Sequence, residues 1–144
     1  MVRSNIRDRN ILFLCRDNAC LSPIAEAIAK EHLPPNTQVF SAGLKPSKID
    51  PTAIQVLREI GIDVSNHEAK GLDAVPIQNI DLVIMFEEQP DQHPVLPAHA
   101  NSSIWNIVDP RGDPAANLQT FRDVRDEIDD RLAGLFLDYW RNLA

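Results

Sequence analysis

Cysteine is nearly absent: the 144 residues hold two, Cys15 and Cys20, five positions apart. Two thiols build neither a disulfide scaffold nor a four-cysteine zinc site, so reduced thiols in a cytoplasmic protein are the default expectation. Long apolar runs are also missing. None approaches the roughly 18 residues of a membrane span, so no membrane partner is expected. The first nine residues are polar and basic with no apolar stretch behind them, and do not read as a secretory signal. Positive charge is in deficit, 14 Lys and Arg against 21 Asp and Glu, giving a net charge of −7 and a pI near 4.9. That balance argues against general nucleic-acid binding while leaving room for a local basic site. No internal repeat or low-complexity tract is present. What remains is ordinary globular composition, 44% apolar and 24% charged, in a length that suits a single domain over 1–144 with its core over about 9–143.

Strand-like and helix-like segments alternate along the chain. Ile11 to Leu14 is a short continuous apolar run, as in a strand buried on both faces. Pro23 to about His32 reads as a helix with Ser22 as N-cap and Pro23 at the first helical position. Thr37 to Ser41 reads as a second strand, ended by Gly43. Asp50 and Pro51 open a second helix that runs to Ile60 and stops at Gly61. Strands are expected over 81–86 and 104–108, with a proline-rich loop over 90–99 between them. A last helix over about 118–142 carries the apolar stripe Phe121, Val124, Ile128, Leu132, Leu135, Tyr139 and Leu143 at helical spacing. The alternation predicts an α/β fold, a parallel sheet with right-handed crossovers covered on both faces. Ligands in such sheets sit beyond the carboxyl ends of the strands. Cys15 follows the first strand and Asp109 follows the fourth.

The segment Cys15-Arg16-Asp17-Asn18-Ala19-Cys20-Leu21-Ser22-Pro23 joins a buried strand to a helix N-terminus. Backbone N–H groups and the helix dipole favour negative charge there, so a cysteine opening the loop is a ready nucleophile. Spacing alone suits a buried structural cysteine at a strand end equally well.

This loop resembles that of the low-molecular-weight protein tyrosine phosphatase family, which includes the thioredoxin-coupled arsenate reductases. The family loop reads Cys-x-Gly-Asn-x-Cys-Arg-Ser-Pro, and Glu26 and Ala27 match the helix beyond it. Ser41, Ala42 and Gly43 match the segment after the second strand, and Asp50 to His67 match the second helix and its following turn. The third strand matches too, as does the general-acid pair Asp109 and Pro110. The resemblance covers about residues 10–140. It implies a three-layer α/β/α domain with a four-stranded parallel sheet in the order 2-1-3-4. It also implies cysteine-nucleophile hydrolysis of a phosphomonoester through a thiophosphate intermediate. Cys15 would be the nucleophile, Asn18 would shape the loop, Ser22 would hydrogen-bond the thiolate, and Asp109 would be acid and then base. Cys20 would be the redox partner of Cys15. The loop from Arg16 through Ser22, Ala19 included, would bind the anion.

Two departures stand inside that loop. The family arginine that grips two phosphate oxygens is Leu21 here, and leucine donates nothing. Loss of such a donor costs about 10²–10³ in rate. The family glycine is Asp17, whose carboxylate at about 6 Å would repel a bound anion by about 3 kcal/mol, and which keeps only part of glycine's backbone freedom. Arg16 and Arg111 are the candidates to compensate, against the simpler expectation that both are solvated rim residues. Arg111 and Gly112 also stand where the phosphatases carry aromatic residues. The reductases relay oxidation through later cysteines, and none occurs over 86–100, so only an external thiol or redoxin could complete such a cycle.

His67, His93 and His99 read as solvated side chains, Asp113 as a turn residue, and the acidic face of the last helix as solvated. No metal or cofactor is expected. Trp140 suits either a helix anchor or a dimer contact, consistent with a monomer or weak dimer. Three functions stay open: an attenuated phosphatase acting on a phosphorylated protein or small oxyanion, an arsenate reductase-like protein using Cys15 with an external thiol, and a non-catalytic binding or redox-sensing protein on the same fold.

Overall fold

Residues Ile11, Leu12, Phe13 and Leu14 alternate between the two faces of a sheet, and all four are buried. A strand with no wet face belongs in the interior of a sheet covered on both sides. The structure, a computed structural model, describes residues 9–34, 37–86 and 96–143, with side chains as far as residue 137. Strand β1 (Asn10–Cys15) is flanked by β2 (Gln38–Gly43) and β3 (Leu82–Met85), and β4 (Asn101–Ile104) pairs with β3. The order is β2-β1-β3-β4 and every pairing is parallel, as the resemblance implies.

Helices α1 (Leu21–His32), α2 (Pro51–Arg58) and α3 (Leu118–Leu143) bury apolar side chains against Ile11, Phe13 and Cys15 of β1. The α3 stripe supplies Phe121, Val124, Ile128 and Leu132, all buried. Tyr139, Trp140 and Leu143 have side chains outside the described residues. The opposite sheet face, Leu12, Leu14 and Val83, packs on Val75 and Ile80, which flank two short 3₁₀ turns. Phe13, Phe86 and Trp105 form an aromatic cluster with ring centroids 6.1–6.4 Å apart. The Arg131 guanidinium lies 6.0 Å from the Trp105 ring.

Three sequence expectations are corrected. The fourth strand is the polar, exposed segment Asn101–Ile104, not 104–108. Its ladder ends where β3 ends, at the Met85 and Ile104 pair. Beyond it Trp105 still donates to the Met85 carbonyl, but the Ile107 N–H turns back to Trp105. The apolar character of 104–108 reflects burial of Ile107 and Trp105 in the helical core rather than strand pairing. Helix α1 begins at Leu21, two residues early, and Ser22 is not its cap; Cys20 stands there without a side-chain cap bond. The Ser22 hydroxyl is committed elsewhere. Helix α2 ends at Arg58, two residues short, although Asp50 caps it as expected through Thr52 N–H at 2.7 Å, and Gly61 takes a positive φ of 84° just beyond. The loop over 90–99, with His93, lies mostly outside the described residues.

Candidate active site

The loop from β1 to α1 is held in shape by the chain that leaves β2. Leu44, Lys45, Ser47 and Asp50 donate their backbone N–H groups to the carbonyls of Cys15, Arg16, Asp17 and Ala19, at 2.7–3.3 Å. In a trans peptide the C=O and the following N–H point in opposite directions. With four carbonyls turned toward 44–50, the N–H groups of Arg16, Asp17, Asn18 and Cys20 turn toward the concave side of the loop. The first turn of α1, which has no side-chain cap, starts at the end of this loop. Amides arranged in this way suit an anion. Gly43 lies directly beneath the loop: a Cβ there would sit 2.5 Å from Asn18 N and from the Asp17 carbonyl carbon. Only glycine permits that approach.

Asn18 organises the interior. It takes a left-handed φ of 53°, the only positive φ among the described non-glycine residues, and asparagine is among the few side chains that adopt it readily. Its Nδ2 donates to Ser22 Oγ and Ser41 Oγ, both at 2.9 Å. Its Oδ1 accepts from the Lys70 N–H and from His67 Nε2, both at 3.1 Å. Since Oδ1 only accepts, His67 must carry its proton on Nε2. Burial, helped by the Lys70 charge, pushes the His67 imidazolium pKa down. Ser41 donates in turn to the buried Glu26 carboxylate, which Lys30 pairs at 2.9 Å. At the other end of this chain, Ser22 Oγ lies 2.8 Å from Cys15 Sγ. A hydroxyl in that position donates to a thiolate when one forms.

Cys20 and Leu21 are wholly buried. Burial pushes the Cys20 thiol far up, and the Asp109 carboxylate adds to this. Leu21 belongs to the apolar core rather than to the mouth of the loop.

A cleft of about 630 Å³ opens above the loop, lined on one side by Arg16 and Asp17 and on the other by Phe86, Ile107, Val108, Asp109 and Arg111. Asp109 caps a 3₁₀ turn (Pro110–Gly112) by accepting from the Arg111 N–H at 2.9 Å. The same carboxylate accepts from Arg111 Nε at 3.0 Å. The guanidinium then reaches across the cleft to Asp17, with Nη1 2.8 Å from Oδ2 and Nη2 3.0 Å from Oδ1. Burial raises the Asp17 carboxyl, but the bonds and charge of Arg111 outweigh this and hold it below the usual range.

The structure joins Cys15, Ser22 and Asn18 in one hydrogen-bonded group and Asp17, Arg111 and Asp109 in another, and the second group lines the cleft. Arg111 is not a solvated rim residue; Arg16 is exposed at the rim. Asp17 occupies the glycine position without a positive φ, so the backbone freedom expected to matter there is not needed. His67 is half-buried against the loop rather than solvated, whereas His99 is exposed, 3.7 Å from Asp81. Asp113 accepts from Ala115 N–H at 2.8 Å and is a turn residue. No cluster of metal-ligating side chains occurs among the described residues. Residues that spacing did not single out are Glu26, Ser41, Gly43, His67 and Lys70. For all but Lys70 the only sequence signal was a position within segments that match the family; Lys70, which acts through its backbone N–H, had none.

An arsenate reductase of Bacillus subtilis (strain 168) is 34% identical over 131 residues, covering 88% of this chain and 94% of that protein. A solved structure described as an arsenate reductase in the phosphate binding state superposes with a TM-score of 0.76 at 28% identity, over 91% of this chain and 98% of the other. The thioredoxin-dependent arsenate reductase of Corynebacterium glutamicum superposes with a TM-score of 0.74 at 25% identity, over 98% of this chain and 71% of that one. The model of low molecular weight phosphotyrosine protein phosphatases matches residues 10–143. The chain belongs to the low molecular weight phosphotyrosine protein phosphatase family.

Proposed function

We propose that this protein is a cytoplasmic, cysteine-dependent oxyanion enzyme of reduced rate. The observation that carries the reading is the intact chain of contacts behind the nucleophile, from Glu26 through Ser41, Asn18 and Ser22 to Cys15 Sγ. A non-catalytic protein has no need to hold a hydroxyl 2.8 Å from a buried thiol beneath converging amides. In the hydrolytic reaction the Cys15 thiolate attacks phosphorus and the phosphorus–oxygen ester bond breaks. Asp109 gives its proton to the leaving oxygen. Asp109 then takes a proton from water as the water attacks the thiophosphate, releasing phosphate and restoring the thiolate. The rate is reduced because Leu21 contributes no charge to the transition state.

The arsenate reductase relatives favour a second substrate for the same nucleophile. Cys15 would attack arsenate with loss of water. An external thiol would then attack the Cys15 sulfur, so that arsenite departs with the bonding electron pair and a mixed disulfide remains. A second external thiol, a redoxin's or a small molecule's, would reduce that disulfide. The chain has no third cysteine to replace it.

The test is turnover of a small aryl phosphate, and of arsenate with excess thiol or a thioredoxin, by the wild-type protein and by Cys15→Ser. Slow activity lost in the variant is expected with at least one substrate. No turnover above Cys15→Ser with either one leaves the binding or sensing role and overturns the proposal.

A further inference from the structure

Leu21 leaves the loop without its cation, and a guanidinium nonetheless stands at its mouth. We propose that Arg111 is the anion-binding side chain of this site, and that the Asp17 carboxylate is a built-in competitor holding Arg111 and one loop amide until a tetrahedral oxyanion displaces it. The inference rests on the oxyanion reading above and specifies how that site binds.

The donors around Asp17 are those a ligand would want. Oδ1 accepts from the Ala19 N–H at 3.3 Å, which is a loop amide, and from Arg111 Nη2 at 3.0 Å. Oδ2 takes Arg111 Nη1 at 2.8 Å, so the fork is engaged on two oxygens, the geometry in which arginine grips phosphate. Asp17 lines the cleft and its side chain keeps 21% of its exposure, so a ligand can reach the contact. Its remaining partner, Ser47 Oγ at 3.4 Å, is a weak bond on the outer side toward which the displaced carboxylate can turn. Arg111 itself is aimed by Asp109, whose carboxylate accepts from its backbone N–H and its Nε and shares Nη2 with Asp17. When Asp17 lets go, Arg111 shifts its charge to the ligand, and Asp109 keeps the backbone bond and is free to carry the proton it gives up in hydrolysis.

The exchange selects its ligand. A carboxylate brings one negative charge to Arg111, whereas a phosphate or arsenate dianion brings two, with a third oxygen for the loop amides. Small tetrahedral dianions and their monoesters therefore compete with Asp17, and planar monoanionic carboxylates do not. The competition also accounts for a loop that tolerates an acidic residue where a bound anion is wanted.

The test measures binding of inorganic phosphate by calorimetry, beside Cys15-dependent hydrolysis of an aryl phosphate. The proteins are wild type, Asp17→Asn, Arg111→Ala, Arg111→Lys and the double variant Asp17→Asn/Arg111→Ala. Asp17→Asn should tighten phosphate by about tenfold or more, the equivalent of about 1.4 kcal/mol. Arg111→Ala should weaken it by a similar factor, Arg111→Lys should fall between, and the double variant should lose the Asp17→Asn gain. A gain that survives in the double variant, or an Asp17→Asn protein with wild-type affinity, overturns the inference. The single variant Asp17→Asn keeps the question decidable should loss of Arg111 prevent folding. Wild-type turnover unchanged in Arg111→Ala would sink this inference alone, whereas Cys15-independent or absent turnover in every protein would sink the reading beneath it.

Discussion

Replacing Asn18 with alanine removes a side chain that satisfies four groups at once, in a backbone conformation alanine resists. The Lys70 N–H loses its acceptor, the His67 Nε2–H keeps only the 3.4 Å bond to the backbone carbonyl of residue 18, and Ser22 and Ser41 lose a donor. Asn18 is fully buried, so water does not replace these partners. Each orphaned donor costs about 1–3 kcal/mol. Holding alanine at a φ of 53° costs a further 1–2 kcal/mol or so. Together the loss is about 3–5 kcal/mol, because the terms share one network and do not fully add. At this chain length about 2–4 °C accompany each kcal/mol, so the thermal midpoint should fall by roughly 10 °C. Asn18→Gly separates the two causes. It loses the same hydrogen bonds but spares the backbone term, leaving it more stable than Asn18→Ala by about 1 kcal/mol. Thermal unfolding followed by circular dichroism reads both. An alanine variant as stable as the glycine variant would refute the backbone argument. Two variants that both melt like wild type would refute the network.

Gly43→Ala would force the new methyl into loop backbone at 2.5 Å, so a loss of about 1–3 kcal/mol and a weakened response to phosphate are expected in thermal-shift measurements. The His67 imidazolium is disfavoured by burial, so the unfolded chain takes the proton first as pH falls; the stability this gives is full above about pH 6.5 and declines with acidification. Chemical unfolding of His67→Gln at pH 7 and pH 5 should show a smaller loss than wild type, and equal slopes would contradict the burial of this ring. Cys20 is fully buried with its thiol pushed far up, so at pH 8 an alkylating reagent should label it only as fast as the protein unfolds; mass mapping that finds rapid labelling would be inconsistent with this packing. Leu21→Arg would bury an unpaired guanidinium in the apolar core, so that protein should melt several degrees below wild type, and a wild-type midpoint would contradict this packing.

The sequence by itself determined the sheet and the loop. An apolar run at β1, the Ser22 and Pro23 pair near a helix start, and Asp50 before Pro51 are local signals. Local signals follow from backbone propensity and two-faced burial, which neighbours in sequence largely decide. They placed Cys15 and Asp109 after strands, while the family resemblance gave Asn18 its role and marked Leu21 and Asp17 as the departures. The same local logic misjudged Ser22, because it lies inside the helix and its hydroxyl is claimed by Cys15 rather than by a helix cap. It also misplaced β4, because apolar residues at Trp105 and Ile107 answer to core burial and not to strand pairing. Only the tertiary structure decided what the departures mean. Asp17 and Arg111 are 94 positions apart, and no periodicity or spacing joins them. Their pairing exists because parallel strands β1 and β3, with the segment beyond β4, bring the loop after the first strand and the turn after Ile107 to the same carboxyl-terminal end of the sheet. There a carboxylate and a guanidinium meet across one cleft, and the acidic residue that looked hostile to an anion is held in the anion's place.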